Sequence, residues 1–149
     1  MKTVVVNPYC TNEESRRICG KIITALRKNN INVVYDKQNG LKQNLKTLER
    51  NRADLAVFVN AGSTPGGWSG IYANKKADEI SESIQEELKS LEYIHEIKAP
   101  SLYILQYSPC AAVMVNHHGE KKAESAIAKA VVTGILKKLN PPEEEGEEQ

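Results

Sequence analysis

The stretch Asp54-Leu-Ala-Val-Phe-Val-Asn60-Ala-Gly-Ser63 decides the fold. From Leu55 to Val59 every residue is apolar, with no alternation. A short extended segment of this kind is buried on both faces, as a central strand of an α/β sheet is when helices cover each side. Its end, Asn60-Ala61-Gly62-Ser63, runs into the Gly- and Pro-rich loop Ser63–Gly70. Open α/β sheets bind ligands just past the carboxyl ends of their strands, so Asn60 is expected to stand in the site.

The elements on either side agree with such a sheet. Thr3–Val6 reads as a strand closed by Asn7-Pro8. Thr11-Asn12-Glu13-Glu14 reads as a capping box with Thr11 as N-cap. The helix behind it carries Ile18, Ile22, Ala25 and Leu26 on one stripe and stops near Asn29-Asn30. Ile31–Tyr35 is the next strand, which completes a βαβ unit. Leu41, Leu45 and Leu48 mark a short helix, and Gly70–Ala73 a brief strand. Ala77, Ile80, Ile84, Leu88 and Leu91 step by three and four along a further helix. Leu102–Gln106 and Ala111–Val115 read as two apolar strands, separated by Ser108-Pro109. A last helix is expected over about Glu120–Lys138, ended by Asn140-Pro141-Pro142. The expectation is one α/β domain over residues 1–140: a single layer of about six mainly parallel or mixed strands with helices on both faces. Residues 141–149 are expected to be an acidic disordered tail or a truncated linker.

Composition narrows the function classes. The 149 residues are 40% hydrophobic and 26% charged, with 20 basic and 19 acidic side chains for a net charge of +1. That balance supplies no general drive toward nucleic acid or an anionic membrane. Five acids lie in the tail, at Glu143, Glu144, Glu145, Glu147 and Glu148, which leaves a body of about +6. No apolar run reaches the length of a membrane span. The N-terminal strand is too short for a signal peptide, which implies a cytoplasmic protein as made. Three widely spaced cysteines, Cys10, Cys19 and Cys110, imply reduced thiols.

Several stretches together resemble the zinc-dependent N-acetylmuramoyl-L-alanine amidases, including the phage and clostridial endolysin branch. Arg52-Ala-Asp-Leu-Ala-Val-Phe-Val-Asn60-Ala61 is similar to that family's strand ending in His-Ala-Asn. Pro65-Gly-Gly-Trp-Ser-Gly70 followed by Tyr72-Ala-Asn-Lys-Lys-Ala77 resembles its Gly-rich loop, Tyr strand and helix. Leu102-Tyr-Ile-Leu105, Pro109 and Ala112-Val-Met-Val115 resemble its paired strands. The resemblance runs from Lys2 to Leu139 and implies an amidase-like α/β fold of the phosphorylase/hydrolase type, acting on peptidoglycan in the bacterial cell wall. It also implies that such a chain reaches its target by lysis or a phage route.

Those enzymes hold Zn²⁺ with two His and one Glu and use a strand-end Glu as general base. In this chain the matching positions are substituted. Tyr9 stands for the first His, Thr11 for the Glu (with Glu13 and Glu14 as neighbours), Asn60 for the second His and Asn116 for the base. Phenol and amide groups are poor zinc ligands, and Asn116 cannot take a proton from water. The expectation is a pseudoenzyme with no cofactor, which binds a peptidoglycan fragment, a protein partner or itself as a homo-oligomer. Tyr9, Asn60, Trp68 and His118 are its candidate contacts.

The alternative is a working hydrolase. It uses either zinc held by ligands out of this alignment or Cys10 with His117, the thiol lying before a helix N-terminus and the imidazole at a strand end. The structural readings stand beside these: Cys10 as a small turn residue, the His117-His118 pair as a strand-end cap, and Trp68 as a lid on the sheet edge. Cys19 and Cys110 read as buried core thiols.

Overall fold

A computed structural model describes residues 1–62, 69–91, 97–98 and 102–140, with the backbone alone at 97–98. Six strands form one sheet: β1 (Thr3–Pro8), β2 (Asn32–Tyr35), β3 (Leu55–Gly62), β4 (Gly70–Ala73), β5 (Ile97–Lys98) and β6 (Ala111–His118). Their spatial order is β2-β1-β3-β6-β4-β5, so β3 is the third strand in, flanked on both sides. The pairs β1–β2, β1–β3, β3–β6 and β4–β5 are parallel, and β4–β6 is antiparallel. The mixed, mainly parallel sheet is the one expected.

The strand pleat divides the core in two. Val4, Val6, Leu55, Val57, Val59, Val113 and Val115 face one side, under α1 (Glu13–Lys28), α3 (Asp78–Leu88) and α5 (Glu124–Leu139). Val5, Ala56, Phe58, Ala112 and Met114 face the other, under α2 (Leu41–Arg50) and α4 (Tyr103–Gln106). The stripes expected of the helices are the ones buried: Ile18, Ile22 and Leu26 on α1, and Ile80, Ile84 and Leu88 on α3. Cys19 and Cys110 are buried too, and burial pushes the Cys19 thiol up to about 12. Asn30, past the end of α1, takes a left-handed φ of 62°, which asparagine tolerates.

Two expectations fail. Leu102–Gln106 is not a strand: Leu105 and Gln106 donate their N–H groups to Leu102 O and form a helical turn. An apolar run this short has no period to separate strand from helix. The sheet also has no place for it beside β6, whose two edges are taken by β3 and β4. The strand beyond β4 is instead β5. The second failure is the cap of α1, which is Asn12 rather than Thr11. Asn12 Oδ1 accepts from Ser15 N at 2.9 Å, while its Nδ2 donates to Ala61 O at 2.7 Å. One amide thus caps the helix and ties it to the end of β3.

Candidate functional site

Parallel pairing sets the centre of the site. The β3–β6 register runs Leu55 opposite Ala111 through to Gly62 opposite His118, so Asn60 falls directly opposite Asn116. By the pleat both face the α2/α4 side, in line with Phe58 and Met114. Asn60 Nδ2 donates to Asn116 Oδ1 at 3.1 Å, and Asn116 Nδ2 lies 3.4 Å from Met114 O. Asn116 is 4% exposed, and Asn60 is half-buried. The centre of the sheet edge is therefore a neutral amide pair.

Tyr9 follows β1, with its N–H donating to Val59 O at 3.0 Å. Its ring sits edge-on to Phe58 with centroids 6.4 Å apart, which brings it to the same face, two residues back from Asn60 on β3. Beside it lies a surface groove of about 710 Å³, lined by Tyr9, Asn39, Gly40, Leu41, Asn44, Leu102, Tyr103 and Ile104. No lining side chain carries a charge. Asn44 serves as the wall's frame: its Nδ2 donates to Asp36 Oδ2 and Gln38 O, at 2.7 and 2.9 Å. Tyr9 and Tyr103 are exposed, and Tyr103 stacks on Tyr107 at 5.9 Å.

Of this groove's lining the sequence marks Tyr9; the other signal, the i,i+4 spacing of Tyr103 and Tyr107, is concealed by the strand reading of Leu102–Gln106.

The remaining candidates scatter. His117 alternates with Asn116 and so faces the α1/α5 side, where Nε2 lies 3.4 Å from Glu120 O. His118 returns to the face of Asn116, and its N–H donates to Ser69 Oγ at 3.0 Å. Cys10 is exposed, with Asn12 Nδ2 donating to its Sγ at 3.6 Å. The pleat thus puts His117 and Asn116 on opposite sides of the sheet. Thr11 is exposed. Trp68 lies outside the described residues.

Zinc needs imidazole, thiolate or carboxylate donors. Among the described residues no three His, Cys, Asp or Glu side chains gather closely enough to hold a metal ion. The pair at the centre offers only amide groups, so the donor set does not fit zinc.

Behind the sheet, Glu124 at the start of α5 is 3% exposed and receives Arg17 through two bonds, Nε to Oε1 at 2.8 Å and Nη2 to Oε2 at 2.9 Å. Arg17 holds the Glu124 carboxyl below its usual range. Burial lowers the His117 imidazole below 6.5, against the opposing pull of Glu120 O and Glu124. The unfolded chain therefore takes up the His117 proton first as the pH falls. This stability is complete above pH 6.5 and is lost as the pH drops through 6.5 toward the folded value. His117→Gln should flatten that part of a plot of Tm against pH. The loss below 4.5 that comes with Glu124 should remain.

No protein-family model matches the sequence, and a search of curated proteins gives no match. Solved structures do match. The chain is similar to the N-acetylmuramoyl-L-alanine amidase AmiC2 of Nostoc punctiforme at TM-score 0.76 and 15% identity, covering 93% of this chain and 97% of that one. The catalytic domain of the amidase CwlV from Bacillus (Paenibacillus) polymyxa gives 0.76 and 14%, over 95% and 100%. The catalytic domain of CD27L, an endolysin targeting Clostridia difficile, gives 0.65 and 21%, over 93% and 98%. The fold is that of the N-acetylmuramoyl-L-alanine amidase catalytic domains.

Proposed function

We propose that this chain is a binding module on the amidase fold, one that takes up a peptidoglycan fragment without cutting it and carries no zinc. The observation behind this reading is the hydrogen bond between Asn60 and Asn116. At the sheet edge where the resembling enzymes place a zinc-binding imidazole and a general-base carboxylate, two amides share a hydrogen bond, Asn60 Nδ2 donating to Asn116 Oδ1. Neither activates water, since an amide has no proton-accepting pair near neutral pH. The structural neighbours are amidases by name, which supports a cell-wall target.

The groove supplies the means of binding. Exposed rings at Tyr9 and Tyr103 offer stacking faces for a sugar ring, and the uncharged lining favours a neutral ligand portion. Purified sacculi should carry the protein down on centrifugation. Tyr9→Ala combined with Tyr103→Ala should weaken this by about tenfold, the equivalent of losing one to two aromatic contacts. Unchanged sedimentation in the double variant removes the groove from the account, and no sedimentation of the parent chain removes the target.

A further inference from the structure

We infer that the groove between α1 and α5 is a docking site for an acidic peptide segment, and that its occupant is this chain's own C-terminal stretch, 141–149. The groove lies on the face of the sheet away from Asn60 and Asn116, so this inference does not depend on the reading of that site. Its walls are Lys21, Ala25, Asn29, Ala128, Lys129 and Val132, and a neighbouring hollow along α1, which shares Lys21 and Ala25 with it, reaches Lys28.

Charge is the first observation. From Arg16 to the end of α1 the helix carries Arg16, Arg17, Lys21, Arg27 and Lys28 and no acid. After Glu124, which Arg17 neutralises, α5 carries Lys129, Lys137 and Lys138 and no acid. This is a one-sign face on a chain of net charge +1. Lys137 is paired with Glu87 at 2.6 Å. Lys21 and Lys129, which line the groove, and Lys28, which lines the adjoining hollow, have no ion-pair partner among the described residues.

Connectivity is the second. The chain leaves α5 at Asn140, whose Nδ2 donates to Asn29 O at 3.1 Å, and Asn29 is itself part of the groove. The described chain therefore ends, at Asn140, beside the groove's mouth, and the acidic stretch follows in sequence. Nine residues reach about 30 Å when extended, against about 24 Å for a helix of sixteen. The five glutamates are thus within reach of all three unpaired lysines. Tethering raises their effective concentration to about millimolar, so a site made of exposed ion pairs is filled in a fraction of the molecules.

The test uses the full chain and a variant with Glu143, Glu144, Glu145, Glu147 and Glu148 all changed to Gln. Amide resonances of Lys21, Ala25, Lys28, Ala128 and Lys129 should move between the two, while those of β1 and β3 stay. Raising the salt should move the parent's resonances toward the variant's. A free peptide of residues 141–149 should reverse the change in the variant. Adding Lys21→Gln and Lys129→Gln to that variant should weaken peptide binding by about tenfold, as expected for two exposed ion pairs. Identical spectra of parent and Gln variant would overturn the inference. So would shifts that depend on protein concentration, since these would assign the groove to the tail of a second copy.

Discussion

Replacing Asn74 by alanine should cost about 3 kcal/mol, because four hydrogen bonds end on one amide. Asn74 Oδ1 accepts from Ala77 N at 3.2 Å and from Ala112 N at 3.1 Å, and Nδ2 donates to Leu105 O at 3.1 Å and Cys110 O at 3.0 Å. The residue sits past β4 and caps the single turn of 3₁₀ helix, Lys75–Ala77, that leads into α3. It also fixes the end of α4 and the start of β6. Those two elements carry the groove wall and Asn116, so a change here loosens the site as well as the core. Asn74→Asp should be no milder, since it keeps both acceptor roles but turns the two donor bonds into contacts between oxygens. Urea unfolding of the two variants checks this, and loss of under about 1 kcal/mol in both would contradict it.

Gly134→Ala should be comparably severe for a steric reason. A Cβ at Gly134 would lie 2.6 Å from Ile84 Cα and 2.7 Å from Ile84 N, and neither backbone atom can swing aside. Ser83 Oγ also donates to Gly134 O at 2.8 Å, so α3 and α5 are pinned together at this contact. Separating them opens the side of the core that holds Ile84, Ile127 and Val131. Overpacking of this kind costs about 3 kcal/mol. A larger residue such as Val should block folding. A Tm for Gly134→Ala within about 2 °C of the parent would show that the helices yield.

The two residues differ in how readable they are. Gly134 falls on the stripe Ala130, Val131, Gly134, Ile135 that periodicity marks as buried, so its position on a packed face is legible although its contact with Ile84 is not. Asn74 lies in Tyr72-Ala-Asn-Lys, and only its role as a cap carries a local signal. Its bonds to Leu105, Cys110 and Ala112 span more than thirty residues.

The same division holds for the site. Leu55–Val59 reads as a central strand because burial on both faces leaves a continuous apolar run. Asn60 and Asn116 read as strand-end residues. Their pairing depends on a register between strands 56 residues apart, which the pleat and the sheet order set together. The side of the sheet taken by His117 follows from that register as well. The helical turn at Tyr103–Gln106 went unread because four residues show no period, and that wall of the groove went with it.

The central claim is that the amide pair at Asn60 and Asn116 replaces hydrolytic chemistry. The direct measurement is the release of muramoyl-linked peptide from purified peptidoglycan by the full chain, with and without added zinc, beside an Asn116→Ala variant. The account predicts release no greater than the buffer blank from both proteins under both conditions. Release by the parent chain that zinc increases and Asn116→Ala abolishes would contradict it.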